Sequence, residues 1–143
     1  MPNARKSAPS SPSEGSAPRL RRAAPPRYAF LKRIALDFPG AVEIFWHGNP
    51  WFNVGTKSFA LFSSREGLWI LKLPQHRQMM LFEVRPEVFS PMRAGRLLWS
   101  YVDVEKLDTA ELKDLLEAAW RMVTPKHIQR QYGQPATSPK QIR

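Results

Sequence analysis

Residues 47–62, HGNPWFNVGTKSFALF, constrain the fold of this chain more than any other segment. A turn made of Gly48, Asn49 and Pro50 is followed by two short runs of β-prone residues, 51–54 and 58–63. The Gly-Thr pair between those runs is typical of a tight connection between antiparallel strands. The segment therefore predicts a β-hairpin that carries Lys57 directly after its turn.

The flanking sequence predicts further strands and helices of an antiparallel α+β domain. The expected helices cover residues 27–37 and 75–84 and a stretch that begins at Asp108 or Thr109. The expected strands cover residues 42–46, 51–54, 58–63, 68–73 and 97–104, with a short extended piece at 89–92. Apolar spacing and the Gly and Pro breakers set these limits. We expect about five antiparallel strands packed against the N- and C-terminal helices.

The last helix has the clearest signals in the chain. If Asp108 is the N-cap residue, Glu111 stands where a capping box requires it. An apolar stripe follows at helical spacing, formed by Leu112, Leu115, Leu116, Ala119, Trp120 and Val123. This stripe is expected to face the core.

Composition indicates one domain with two basic tails. The chain has 143 residues, 43% of them hydrophobic, and a net charge of +10. Residues 1–27 carry six basic residues and one acidic residue, and residues 121–143 carry five basic residues and no acidic one, so residues 28–120 are neutral. Mobile tail arginines attract phosphate without reading bases. We expect the Pro- and Ser-rich segment 1–27 and the segment 127–143 to be disordered.

Three further motifs carry a family resemblance. They are GLWILKLP at 67–74, RPEVFSPMRAGRLLWSYVDVEKLD at 85–108 and ELKDLLEAAWRMVTPK at 111–126. With the hairpin segment, they resemble the MmcQ/YjbR-like family of small bacterial proteins over residues 29–126, which places the domain at 28–126. The resemblance implies a compact fold of the CyaY-like or double-wing type, for which DNA binding is the usual proposal.

The resemblance also bears on individual residues. Lys57 and Lys72 match lysines of the family pattern, whereas Leu97 and Leu98 stand where a glycine commonly precedes the tryptophan. The likeness to frataxin does not favour iron binding, because the first helix offers one acid, Asp37, and carries Lys32 and Arg33.

No motif indicates catalysis, a metal or a cofactor. The chain has no cysteine, no G-x-S-x-G elbow and no glycine-rich phosphate loop. Its histidines, His47, His76 and His127, are far apart and lack a partner ligand at helical spacing. The acidic residues of the last helix are spaced as a solvated face. We therefore expect a protein that is not an enzyme.

Two binding functions remain as expectations. The first is weak, largely electrostatic DNA binding through hairpin cations and tail arginines, namely Lys57, Arg65, Lys72, Arg93, Arg96, Arg19, Arg21 and Arg22. Surface lysines are more often solubilising charges. The alternative is a protein- or small-ligand-binding module with an aromatic groove around His47, Asn49, Trp51 and Trp99. We expect a cytoplasmic monomer without a membrane segment.

Overall fold

A computed structural model describes residues 24–92 and 99–132 of the chain. The helices are α1 (Tyr28–Asp37), α2 (Gln75–Val84), α3 (Thr109–Val123) and α4 (Lys126–Gln129), and a 3-10 turn covers Val104–Lys106. The strands are β1 (Ala41–Trp46), β2 (Asn49–Val54), β3 (Lys57–Ser63), β4 (Leu68–Lys72), β5 (Phe89–Pro91) and β6 (Trp99–Val102). The predicted α+β class is confirmed.

The six strands form one antiparallel sheet in the order β1-β2-β3-β4-β6-β5. The first four strands follow each other as a meander because short turns connect them. Gly55, at φ +62°, supplies the left-handed backbone that the tight turn between β2 and β3 requires. The pairing of β2 with β3 shifts register after Phe52, which introduces a bulge near the hairpin.

Two predicted boundaries differ from the structure by two residues, and several others differ by one. The turn before β2 is made by His47 and Gly48, and Asn49 and Pro50 already belong to the strand. Proline is tolerated there because it lies near the beginning of the strand. The second difference concerns the last predicted strand, 97–104. The strand β6 ends at Val102, because the side chain of Asp103 accepts a hydrogen bond from the backbone of Glu105 and starts the 3-10 turn.

One side of the sheet, called here the helix face, is covered by helices. The directly paired residues Phe52, Ala60, Leu71 and Ser100 lie on this face, and all are buried. On α3 the predicted capping box and the whole predicted stripe are confirmed, with every stripe residue buried. The helix face therefore holds the core.

The ends of the described chain are attached to this core. The Trp69 indole donates to the carbonyl of Pro26, and the Arg27 guanidinium donates to the carbonyls of Val104 and Leu107. At the other end, α4 forms, and Tyr132 packs its ring against Phe38 and Trp120.

Residues 26–27 and 127–132, which belong to the segments expected to be disordered, therefore pack on the fold. Hydrogen bonds hold Pro26 and Arg27 at one end, and Ile128 and Tyr132 supply apolar contacts at the other. Residues 1–23 and 133–143 lie outside the described residues.

Candidate functional site

The opposite side of the sheet, called here the open face, carries a row of large side chains. Direct cross-strand pairing aligns Ile44, Trp51, Leu61, Ile70 and Tyr101 from β1 to β6. Side chains alternate between the two faces of a strand, so this row points away from the helix face. Because Trp51, Leu61 and Tyr101 are only half-buried, the open face presents apolar surface to solvent.

A pocket of about 550 Å³ lies at one end of the open face. Its apolar walls are Trp51, Leu61, Ile70, Met92, Trp99 and Met122, and its polar groups are Lys57, Ser58 and Lys72. The antiparallel β4–β6 pairing sets Lys72 directly opposite Trp99. The Lys72 ammonium lies 5.6 Å from the centre of the Trp99 ring, within the range of a cation–π contact.

The two lysines give the pocket a positive charge. Lys57 is exposed and Lys72 is half-buried. Among residues 24–92 and 99–132, neither ammonium forms a salt bridge within 4.0 Å. A ligand that enters the pocket therefore meets aromatic and apolar walls beside two cations that lack carboxylate partners in the described residues.

A second pocket, of about 460 Å³, adjoins the first around the β2–β3 hairpin. Lys57 and Met122 line both pockets, and Val54, Pro125 and Ile128 line the second alone. The two together form a groove that turns from the open face towards the end of α3.

The residues of the predicted aromatic groove divide between two ends of the sheet. Trp51 and Trp99 meet in the pocket, together with Lys57 and Lys72 of the predicted cation set. His47 and Asn49 do not line it. The His47 ring contacts Trp46, and the Asn49 amide donates to the hydroxyl of Ser64.

Arg65 also lies at the end of the sheet that carries His47 and Asn49. It is exposed in the turn after β3, whereas Lys57 begins the strand. At about 3.3 Å per residue, β3 separates the two cations by roughly 20 Å. The described hairpin cations therefore do not form one strip. Arg19, Arg21, Arg22, Arg93 and Arg96 lie outside the described residues.

Two methionines of the pocket were missed by the sequence reasoning. Met92 follows β5, and its backbone N–H donates to the Trp99 carbonyl. Met122 flanks the buried stripe of α3 between Arg121 and Val123. Helical spacing predicts that Met122 lies beside the stripe, but it does not predict that Met122 lies near the hairpin.

A polar cluster on the helix face has a structural role. The Tyr28 hydroxyl donates to the carboxylate of Glu43, which also receives the Lys32 ammonium at 3.0 Å. Burial raises the pKa of Tyr28 above its ordinary value, and the hydrogen bond and the negative charge of Glu43 raise it further. The cluster ties α1 to β1 and does not reach the pocket.

The described residues show no metal centre and no membrane span. No group of three or more His, Asp and Glu side chains within them could hold a metal ion. Within the same residues, no helix is long and apolar enough to cross a membrane.

Fold and site define a small α+β protein with an antiparallel sheet, helices on one face and an open pocket on the other. The model of the YjbR family matches residues 36–122, and the chain belongs to this family. The crystal structure of the Deinococcus radiodurans protein DR2400, which has a DUF419 domain, is similar in fold. The two share 19% identity and a TM-score of 0.62, over 78% of this chain and 91% of the other. No curated protein matched significantly.

Proposed function

We propose that this protein is a non-enzymatic binding module, and that the pocket on the open face takes a small molecule with a planar ring and a negatively charged group. The convergence of Trp51 and Trp99 with Lys57 and Lys72 carries the proposal. The volume of about 550 Å³ lies within the usual range for small-molecule sites.

The chemistry of the walls selects this class of ligand. An indole ring stacks on any flat aromatic system, and the apolar contacts of Leu61 and Ile70 favour a ligand that excludes water. The cations favour an anion such as a carboxylate, sulfonate or phosphate. A purely apolar ligand would leave two ammonium groups without a partner at the pocket.

The test uses two probes that combine a ring with an anion, anilinonaphthalene sulfonate and a nucleoside monophosphate. Calorimetric titration should give one site per chain for at least one probe. A charge-assisted contact contributes about 1.5–3 kcal/mol, so Lys72→Gln should weaken that probe about tenfold or more. Trp99→Leu should also weaken it, because the ring surface is lost.

Arg65→Gln is the matched control. It removes the same charge from an exposed site at the other end of β3, and we expect it to change the affinity less than twofold at moderate salt. Equal losses for Lys72→Gln and Arg65→Gln would show that the probe responds to overall charge, and the pocket proposal would then fail.

The second candidate function is weak DNA binding, favoured by the exposed cations at two hairpins, Lys57 and Arg65. Tail arginines add affinity by releasing counterions. In this function the hairpin cations and Lys72 orient the domain along the phosphates, together with Arg93 and Arg96.

Fluorescence anisotropy with labelled duplex and single-stranded DNA tests this candidate. For duplex DNA, log K should fall by about 0.9 per neutralised phosphate as log salt rises. The truncated protein should span residues 24–132, because Pro26, Arg27 and Tyr132 pack on the fold. Binding by this fragment that weakens with salt but persists at near-physiological salt would support a nucleic-acid site on the domain, whereas loss of binding with the tails would assign the affinity to the tails alone. Affinity independent of salt would contradict the electrostatic mechanism.

A further inference from the structure

We propose that β1 is a self-association edge, at which two copies of this chain pair their β1 strands antiparallel and extend the sheet across a twofold axis. The proposal concerns a different surface from the pocket and does not depend on the ligand. It replaces the monomer expected from the sequence.

The two edges of the sheet differ in their protection. The edge strand β5 has three residues and ends in Pro91, and both short length and proline discourage further pairing. The edge strand β1 has six residues, contains neither proline nor lysine, and pairs with β2 without a bulge. Of the two edges that the sheet has in the described residues, β1 is therefore the one that can accept another strand.

The side chains of β1 are also unusually exposed. Val42, Ile44, Phe45 and Trp46 are 41–60% exposed, and they are four of the eight exposed large hydrophobic residues in the described parts of the chain. Isolated exposed apolar residues are ordinary, but a contiguous set on an edge strand marks an interaction surface. Val42, Ile44 and Trp46 share the open face, and Phe45 lies on the other side.

Charge does not oppose the pairing of two identical strands. Glu43 is the one charged residue of β1, and its side chain is only 10% exposed. The carboxylate is engaged by Lys32 and Tyr28 of the same chain, on the helix face. Two β1 strands can therefore pair without bringing like charges together. An uncharged edge of this kind favours a second copy of the chain over a charged partner.

The strand geometry suits a symmetric pair. Alternate residues of an edge strand direct their N–H and C=O groups away from the sheet, and an antiparallel copy matches them. An aromatic side chain buries about 150–250 Å², so a second copy would cover roughly 200 Å² on Phe45 and Trp46 together, given exposures of 60% and 55%. With the aliphatic side chains and backbone, two copies would bury at most roughly 1,000 Å², which is below the roughly 1,200–2,000 Å² of stable interfaces and within the range of weak ones. We expect a weak dimer.

The symmetry has a consequence for the pockets. The twofold axis of an antiparallel strand pair is perpendicular to the sheet, so both open faces lie on the same side of the extended sheet. The dimer would thus present two pockets on one continuous surface, with the two β1 strands between them.

Sedimentation equilibrium of the full-length chain tests the proposal. The weight-average mass should rise from one chain towards two between about 5 µM and about 200 µM protein, as mass action requires. Ile44→Lys, which places a charge at the paired edge, should raise the dissociation constant at least tenfold. The matched control is Val84→Lys, because Val84 is 67% exposed on α2, away from the edge. It should leave the dissociation constant unchanged.

Concentration-dependent hydrogen exchange provides a test that needs no variant. Outward amides of β1 should exchange more slowly at high than at low protein concentration, while amides of β5 should not change. A chain that stays monomeric over this range, or a dimer that Ile44→Lys leaves intact, would overturn the proposal. Protection on α2 in place of β1 would overturn it as well.

Discussion

The buried hydrogen bond between Gln78 and Ser100 connects α2 to β6, and its removal should show a strong coupling between the two residues. The Gln78 amide donates to the Ser100 hydroxyl at 2.6 Å. The two residues are 1% and 0% exposed. Water cannot easily replace either partner, so each single substitution leaves a buried polar group without its bond.

The expected magnitudes follow from that burial. Ser100→Ala leaves the buried amide of Gln78 without its acceptor, and Gln78→Leu leaves the buried hydroxyl of Ser100 without its donor. Each substitution should lower the free energy of unfolding by about 1–3 kcal/mol. The double variant removes both polar groups together, so its total cost should be close to one single substitution or less. The cycle should therefore give a coupling energy of about 1–3 kcal/mol.

Urea unfolding followed by far-UV circular dichroism measures this coupling, provided that the m-value stays the same for all four proteins. Ser64→Ala is the matched control, because its hydroxyl accepts a bond from Asn49 at an exposed site. It should cost less than about 0.5 kcal/mol, as is usual for surface substitutions. Strict additivity of the two single costs would refute the view that the pair acts as one buried unit.

Two other substitutions test features that hold the helices. Asp108→Ala removes the capping box of α3 and should lower the free energy of unfolding by about 1 kcal/mol in urea. The control Glu83→Ala removes an acidic side chain from an exposed position of α2 and should change that free energy by less than about 0.5 kcal/mol. The pKa of Tyr28 is raised in the folded state, so above a pH of about 10 this tyrosine ionises first in the unfolded chain, and the free energy of unfolding falls as pH rises. The urea midpoint should therefore decline less between neutral and alkaline pH in Tyr28→Phe than in the unmodified protein. An equal decline in the two proteins would contradict this role of Tyr28.

Local signals predicted most of the fold. The helix expected at 75–84 has the same limits as α2, and the apolar stripe of α3 is buried in full. These elements were predictable because caps, breakers and helical spacing act within a few residues. The turn at 48–50 was misplaced since a Gly-Asn-Pro string suits several turns, and only the pairing of Trp46 with Asn49 decides where the strand begins.

The candidate site was predictable only in part. Asn49 and Trp51 share a face of β2, so grouping them was reasonable. The pocket nevertheless extends from Trp51 in the other direction, because β4 pairs with β6 and brings Trp99 opposite Lys72. That pairing joins residues distant in sequence across α2 and β5, and no local pattern specifies it. Met122 was missed for the same reason, because its position beside the hairpin depends on how α3 packs and not on a local pattern.

The pocket and the β1 edge are joined by continuous structure even though neither proposal requires the other. Ile44 on the edge is paired directly with Trp51, which lines the pocket, and the Trp46 and Trp51 ring centres are 5.8 Å apart. A second copy at β1 would therefore order the residues beside Trp51 and restrict its ring. If both proposals hold, linkage requires that saturating probe strengthen dimerisation by the square of the factor by which dimerisation strengthens probe binding at each pocket, because each dimer has two pockets. The ratio of the dimer dissociation constants measured without and with saturating probe gives the square of that factor, and a ratio of one would mean that the pocket and the β1 edge are not coupled through Trp51.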